Sequence, residues 1–236
     1  MCPYGGVMSL ANLFQQMKPT REYRSIITAY PCGPQWVNTD LEADLAVQLA
    51  FSPLVAEFLT MPLIPIGAEN PFVPSMLVEL TPSCAPPAFL IIDVFDGTET
   101  NDTRAQRHIM GQKACWADDI VYLSANEADI RTPYLANVER LAAHRHKWPE
   151  RHILQRINHI LSIQEMSYAD AVDRLNDAGI SADAARSSLD SAVANRLIHC
   201  DLASQLTGAS RLSLSCFNWI ISLDSSPIIR RLLATT

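Results

Sequence analysis

Asp93 lies at the position in this sequence that most needs a chemical explanation. It falls inside the apolar run of residues 91–95, where an ionised carboxylate is costly unless it has a hydrogen-bond partner or binds a metal ion. The sequence therefore predicts either a functional carboxylate or a structural hydrogen bond to the turn near Gly97. Glu42 is a second candidate acid, because it falls in the first turn of an expected helix, where a carboxylate also stabilises the positive helix end.

The remaining reactive residue types form no recognisable catalytic pattern. His144 and His146 are only two residues apart, so they lie on different faces of a helix and are poorly placed to chelate a metal. We expect them, with His152 and His159, to be solvated or linker histidines. The six cysteines show no CxxC spacing, and a chain of this size needs no disulfides. They are expected to be reduced core or loop residues.

Composition and charge exclude several classes of protein. The chain has 236 residues, of which 48% are hydrophobic, and a net charge of −7, so it is expected to be globular rather than fibrous or disordered. Residues 1–150 contain 10 Lys+Arg against 17 Asp+Glu, and residues 151–236 contain 8 of each. Tight DNA binding by the chain alone is therefore disfavoured, although a local basic patch or a partner could bring DNA.

The sequence shows no apolar run long enough to span a membrane and no secretory signal, which predicts a cytoplasmic protein.

A mixed sheet flanked by helices is expected to position these candidate residues. Leucines recur every four residues from Leu41 to Leu49, which predicts a helix that Thr39 or Asn38 caps and that ends before Pro53. Residues 1–37 are expected to be an arm with little regular structure. Three antiparallel strands then follow, at residues 55–66, 73–80 and 88–94. A crossover helix at 103–116 leads to a parallel strand at 119–123, and a last helix is expected at 133–146.

A second, mainly helical domain is predicted for residues 149–236. Beyond Pro149, helical patterns dominate, one helix is expected to end at Gly179, and Ser181 can cap the next. Two strand-like runs at 197–202 and 211–216 follow these helices, an order that matches a winged helix-turn-helix. The apolar tail is expected to close the core of this domain, and docking to a partner protein is the alternative.

Four segments, in their order along the chain, resemble the TnsA family, the endonuclease subunit of heteromeric cut-and-paste transposases. They are residues 38–42, 74–78, 91–95 and 130–137. The last segment, IRTPYLAN, is the most specific, and the likeness covers about residues 21–145. The resemblance implies a restriction-endonuclease-like domain at 38–148, a winged-helix-like domain at 149–236 and a place in the bacterial cytoplasm.

The resemblance also implies a metal-dependent site, and this sequence departs from it at two positions. The family holds Mg²⁺ or Mn²⁺ with carboxylates from a helix and two strands and places a lysine near the attacking water. Glu42 keeps the helix position, and Asp93 matches the first member of the acid–x–lysine pair. Ser75 stands where the family has its strand aspartate, and Phe95 stands where it has the lysine. Both replacements weaken metal binding and catalysis, so cleavage is expected to be impaired.

A displaced active site is the alternative that the sequence leaves open. Ser75, Leu77 and Glu79 share one face of a strand, so Glu79 could replace the missing acid. Lys113 or Arg107 on the following helix could then supply the cation.

Three hypotheses about function follow. The first is a TnsA-like transposition subunit with impaired chemistry, which acts in assembly or regulation with a transposase, an ATPase regulator and transposon-end DNA. The second is an active endonuclease that uses the displaced site and Mg²⁺ or Mn²⁺. The third is a winged-helix DNA-binding regulator, in which Arg186 and Arg196 flank a recognition helix.

Overall fold

The computed structural model describes residues 24–26, 35–52, 54–65, 71–80, 89–115, 120–214 and 228. The chain divides into two compact units, Met1–Glu127 and Ala128–Thr236. The elements of the first unit, in chain order, are β1 (Arg24–Ile26), β2 (Gln35–Val37), α1 (Asp40–Phe51), β3 (Val55–Thr60), β4 (Ile64–Pro65), β5 (Pro71–Phe72), β6 (Met76–Leu80), β7 (Phe89–Phe95), α2 (Asn101–Ala114) and β8 (Ile120–Asn126).

The helix α1 begins with a capping box. The Thr39 hydroxyl accepts a hydrogen bond from the Glu42 backbone N–H, and the Glu42 carboxylate accepts one from the Thr39 backbone N–H. Leu45 and Leu49 are buried along the inner face, and the helix ends at Phe51, two residues before Pro53. The predicted helix, its cap and its end are confirmed.

The central sheet of the first unit has the strand order β3-β6-β7-β8. The strands β3, β6 and β7 pair antiparallel, and β8 pairs parallel to β7 after the crossover through α2. The predicted α/β architecture, with a mixed sheet and flanking helices, is confirmed. The expected arm differs from its prediction where it is described, because β1 and β2 form a two-stranded antiparallel sheet.

Both faces of this sheet are buried. Leu77 and Ile91 pack with Ala114 of α2 on one face. Val78 and Ile92 alternate onto the other face and are also fully buried. Because Asp93 is two residues beyond Ile91, the alternation directs its side chain to the face that α2 covers.

The second unit contains helices and a small antiparallel sheet. After α3 (Glu127–Ile130), which straddles the division between the units, its elements are α4 (Pro133–Ala142), α5 (Arg151–Ile163), β9 (Met166–Ser167), α6 (Tyr168–Asp177), α7 (Ala182–Ala194), β10 (Ile198–Cys200) and β11 (Arg211–Leu214). The strand order is β10-β11-β9. Gly179 ends α6 in the left-handed conformation, at φ +87°, and the Ser181 hydroxyl caps α7, both as predicted.

The expected domain boundary at 148/149 lies inside the second unit. The Asn137 side chain of α4 donates hydrogen bonds to the carbonyls of Leu202 and Ser204 and accepts one from the Leu206 backbone N–H. These bonds join α4 to the loop after β10, so this helix belongs with the C-terminal elements. The change of composition after Trp148 marks the start of α5 rather than the start of the unit.

Two further expectations concern the tail and the membrane. Ile228 is buried, and the rest of the apolar tail after Leu214 lies outside the described residues, as does most of the arm. Among the helices of the described part, none has the length and the apolar character needed to cross a membrane.

Candidate functional site

A cleft of about 350 Å³ opens in the first unit beside the N-terminus of α1. Glu42 of α1, Ser75 before β6 and Arg107 of α2 line it. Asp96 and Glu99, which follow β7, add two carboxylates to its wall. The resemblance to TnsA assigns four positions to the site, and two of them, Glu42 and Ser75, line this cleft. Asp93, a third, lies directly behind Ser75.

Asp93 is fully buried and has protein partners on both carboxylate oxygens. Its Oδ1 accepts hydrogen bonds from the Ser75 backbone N–H at 3.2 Å and from Arg107 Nη2 at 2.5 Å. Its Oδ2 accepts a hydrogen bond from the Tyr122 hydroxyl at 3.0 Å. These three residues satisfy the carboxylate, so the expected hydrogen bond near Gly97 is replaced by a network that involves β6, α2 and β8.

Arg107 is anchored by more than the ion pair. The same Nη2 donates to the Val73 carbonyl at 3.0 Å, and the guanidinium lies 5.7 Å from the centre of the Phe72 ring. Arg107 was one of the two cations that the sequence offered for a displaced site. It neutralises Asp93, and charge-assisted pairs of this kind are the stronger hydrogen bonds in proteins.

Tyr122 completes the network because α2 passes very close to β8. A Cβ atom at Gly111 of α2 would overlap the Tyr122 ring, so a side chain here would force the ring to move. Burial, and next the negative charge of Asp93, raise the pKa of Tyr122 above its ordinary value. Tyr122 therefore keeps its proton and acts as a hydrogen-bond donor.

Ser75 and Glu42 both have structural partners at the cleft. The Ser75 hydroxyl accepts a hydrogen bond from the Val94 backbone N–H at 3.1 Å, which ties the start of β6 to β7. Glu42 Oε2 accepts hydrogen bonds from the backbone N–H groups of Asn38 at 2.7 Å and Thr39 at 3.3 Å. Glu42 thus satisfies the free donors at the start of α1.

Phe95 is buried at the end of β7, and the Arg104 guanidinium lies 5.1 Å from the centre of its ring. This position, where the resemblance to TnsA implies a lysine, therefore contributes an apolar surface. A phenyl ring can neither exchange a proton nor carry a positive charge to the cleft.

The donor set does not fit a divalent metal ion. Mg²⁺ requires several oxygen ligands in near-octahedral arrangement, whereas both oxygens of Asp93 are bonded to protein donors and Arg107 already supplies the positive charge. Glu42 Oε2 is engaged by the start of α1. Among the described residues, no group of three or more His, Cys, Asp and Glu side chains is arranged to hold a metal.

The structure places Glu79 and Lys113, the residues expected to form a displaced site, in β6 and in the last turn of α2. Glu79 is four residues along β6 from Ser75 and lies in register with Phe89 on one side and Glu57 on the other. Burial, and next the charge of Glu57, raise the pKa of Glu79. Lys113 is exposed in the last turn of α2, where a cation stabilises the helix end. Neither residue lines the cleft.

The two arginines proposed to flank a recognition helix lie within α7 and two residues after its end. Arg186 is exposed and pairs with Asp183 in the same helix at 3.3 Å. Arg196 follows α7 in the left-handed conformation, at φ +59°, and its backbone N–H bonds to the Val193 carbonyl. The C-terminal half of α7 is buried, whereas Asp183 and Arg186 in its first half are exposed.

The buried polar cluster on α7 was missed from the sequence. Arg140 of α4 donates to both oxygens of Asp190 at 3.0 and 3.1 Å, and the Tyr168 hydroxyl donates to Asp190 Oδ1 at 2.8 Å. This cluster had a weaker sequence signal than Asp93, since Asp190 lies between Leu189 and Ser191 rather than in a continuous apolar run. Tyr122 gave no comparable signal.

The sequence matches no model of a known protein family and no curated protein.

Proposed function

We propose that this chain is a TnsA-like subunit of a DNA transposition machinery that has lost its own cleavage chemistry and serves in assembly or regulation, in the bacterial cytoplasm. Its partners would be a transposase, an ATPase regulator and transposon-end DNA held within their complex. In this proposal the first unit has a restriction-endonuclease-like fold and the second a winged-helix-like fold.

The architecture of both units supports the proposal. In the first unit, a helix that carries Glu42 precedes an antiparallel run of three strands, and a crossover helix leads to a parallel fourth strand. In the second unit, the strand β9 precedes α6 and α7, and the antiparallel pair β10 and β11 follows them and completes the sheet. Of the positions that the resemblance assigns to the site, Glu42 and Ser75 line one cleft, and Asp93 accepts a hydrogen bond from the Ser75 backbone N–H behind it.

The observation that carries the loss of chemistry is the ion pair between Asp93 and Arg107. Arg107 Nη2 lies 2.5 Å from Asp93 Oδ1, at the carboxylate that would otherwise bind metal. Serine at position 75 and phenylalanine at position 95 remove the remaining acid and the lysine. In this proposal the cleft keeps the position of a catalytic site, while its carboxylates make structural hydrogen bonds.

The test combines the full chain with a transposase and an ATPase regulator from the same element. We expect a stable complex by size-exclusion chromatography and DNA cuts only at the strand positions assigned to the transposase. Asp93→Asn and Glu42→Gln, which keep the shape of each side chain, should leave the pattern of cuts unchanged. Arg174→Ala, on the exposed face of α6, is the matched control for handling and folding.

Two results would contradict the proposal. Mg²⁺- or Mn²⁺-dependent cuts by this chain that both Asp93→Asn and Glu42→Gln abolish, while the variants stay folded, would establish an active endonuclease. Failure of the wild-type chain to bind either protein would remove the assembly role.

A further inference from the structure

We infer that the second unit binds a single-stranded stretch of nucleic acid through a basic segment, residues 144–159, with Trp148 stacking on an unpaired base. This goes beyond the proposed function, because it concerns binding by this chain alone and at a surface separate from the cleft. It also differs from the recognition-helix hypothesis, because the surface belongs to α5 and to the turn that precedes it.

The positive charge of the second unit is concentrated in this segment. Residues 128–214 contain ten Lys+Arg and ten Asp+Glu, yet residues 144–159 contain four Lys+Arg, four histidines and one acid, Glu150. The helix α6, by contrast, carries three aspartates and one arginine. Such a basic stripe in an otherwise acidic chain is the electrostatic signature of a phosphate-binding surface.

Most basic side chains of this segment are accessible. Arg145 is half-buried, and the exposed basic and aromatic residues are His146, Lys147, Trp148, Arg151, His152, Arg156 and His159. His152, Arg156 and His159 share one face of α5, because they are four and three residues apart. Within the described part of the chain, neither Arg151 nor Arg156 has an ion-pair partner, whereas His152 lies 3.4 Å from Glu150.

Trp148 is the feature that favours a nucleic acid over other anions. Its side chain is 68% exposed, which is unusual for so large an apolar residue. An exposed indole beside basic side chains can stack on a base while the phosphates contact the charges. Bases in a duplex are already stacked on their neighbours, so the arrangement selects a strand with unpaired bases, such as an overhang or a frayed end.

Hydrogen bonds and buried side chains fix the backbone of the basic segment. The Asn195 side chain at the end of α7 donates to the carbonyls of His144 at 3.2 Å and Lys147 at 3.0 Å, and the Ser191 hydroxyl donates to the Lys147 carbonyl. The inner face of α5 is buried through Ile153 and Ile157. Binding therefore requires little ordering of this part of the chain, which favours affinity.

The experiment measures the binding of the full chain to a fluorescent oligothymidine of about 20 nucleotides and to a duplex with the same number of phosphates per strand. Arg151→Ala/Arg156→Ala should weaken binding about tenfold or more at about 50 mM salt and lower the slope of log K against log salt by about 1.4, at roughly 0.7 per lost phosphate contact. Arg174→Ala/Arg211→Ala removes the same charge from exposed positions elsewhere and should change little.

Trp148→Ala separates stacking from charge. Loss of the indole should weaken binding to the oligothymidine about fivefold to hundredfold, leave binding to the duplex unchanged, and be partly reversed in Trp148→Phe. Circular dichroism of each variant checks that the fold is retained.

Four outcomes would overturn the inference. In the first, both double variants lose the same affinity for the oligothymidine. In the second, Trp148→Ala weakens binding to single strand and duplex equally. In the other two, the chain binds polyglutamate of the same charge equally tightly, or it binds only to vesicles that contain phosphatidylserine. Because the assay uses this chain alone, its failure leaves the assembly test with transposase and ATPase regulator unaffected.

Discussion

Each unit buries an aspartate against an arginine and a tyrosine, but the two clusters occupy different places in their folds. In the first unit, Asp93 lies behind the cleft and Arg107 reaches it from α2. In the second unit, Arg140 of α4 reaches Asp190 of α7, and this pair fastens one helix to another.

The comparison shows what a buried carboxylate by itself implies. Asp190 and Asp93 each pair with a guanidinium and a phenol, although only Asp93 lies behind a cleft at the place where the resemblance implies metal chemistry. A buried acid therefore predicts a partner, and the identity of the partner decides between structure and catalysis. At Asp93 the partner is a cation of the protein itself.

Loss of Arg107 should have the largest effect on stability. Arg107→Met leaves Asp93, which is fully buried, without a positive partner and should lower the free energy of unfolding by about 3–5 kcal/mol. Urea unfolding followed by circular dichroism measures this. The matched control is Arg104→Met, one turn earlier in α2, which should cost less than about 1 kcal/mol. Equal costs for the two variants would show that the ion pair contributes little.

Loss of Arg140 should cost less than loss of Arg107. The side chains of Arg140 and Asp190 are 42% and 10% exposed, so solvent screens the charge that remains. We expect Arg140→Met to cost about 2–3 kcal/mol, by the same urea titration. Amide hydrogen exchange should localise the loss to α4 and α7. If Arg140→Met lost more free energy of unfolding than Arg107→Met, the Asp190 cluster would contribute more to stability than the Asp93 cluster.

The two tyrosines should behave alike. Tyr122→Phe and Tyr168→Phe each remove one hydrogen bond to a carboxylate and should each cost about 1.5 kcal/mol near neutral pH. Burial, followed by the charge of the neighbouring aspartate, raises the pKa of both phenols. Their contribution is therefore complete below the unfolded pKa of about 10 and is lost as the pH rises above it. Urea titrations between about pH 9 and pH 11 should show a shallower loss in each variant than in the wild type, and identical slopes would refute the raised pKa.

The smallest expected effect is a gain in stability at Glu79. Glu79→Gln removes the repulsion from Glu57 across the paired strands and should stabilise the protein by about 0.2–1 kcal/mol at pH 7. Because the pKa of Glu79 is raised in the folded state, the gain should vanish below about pH 4, where the carboxyl is protonated in both states. Glu57→Gln should reproduce the gain, and the absence of a gain in both variants would show that the two carboxylates do not interact.

The main elements of the first unit could be predicted because local signals agree. Thr39 and Glu42 form the predicted cap, the strands carry alternating or continuous apolar residues, and the crossover to β8 follows from the helix between two apolar runs. In the second unit, β9 was missed because a two-residue strand carries no periodicity.

The partner of Asp93 could not be predicted, because it depends on the rotation of α2 about its axis. Only Gly111 and Ala114 of this helix are buried, so its sequence pattern does not specify which face meets the sheet. The sequence therefore left open whether Arg107 or Lys113 supplies the cation near the sheet. The close approach of Gly111 to Tyr122 selects the orientation that presents Arg107, and a contact of this kind is visible only in three dimensions.

Arg107 neutralises Asp93 at the place where the resemblance implies a metal ion. Anomalous diffraction from crystals of the wild-type protein soaked in MnCl₂ separates these two partners of the carboxylate. We predict Arg107 Nη2 within hydrogen-bond distance of Asp93 and no manganese peak at its carboxylate. A manganese ion bound jointly by Asp93 and Glu42, with Arg107 displaced, would show that Arg107 does not replace the metal.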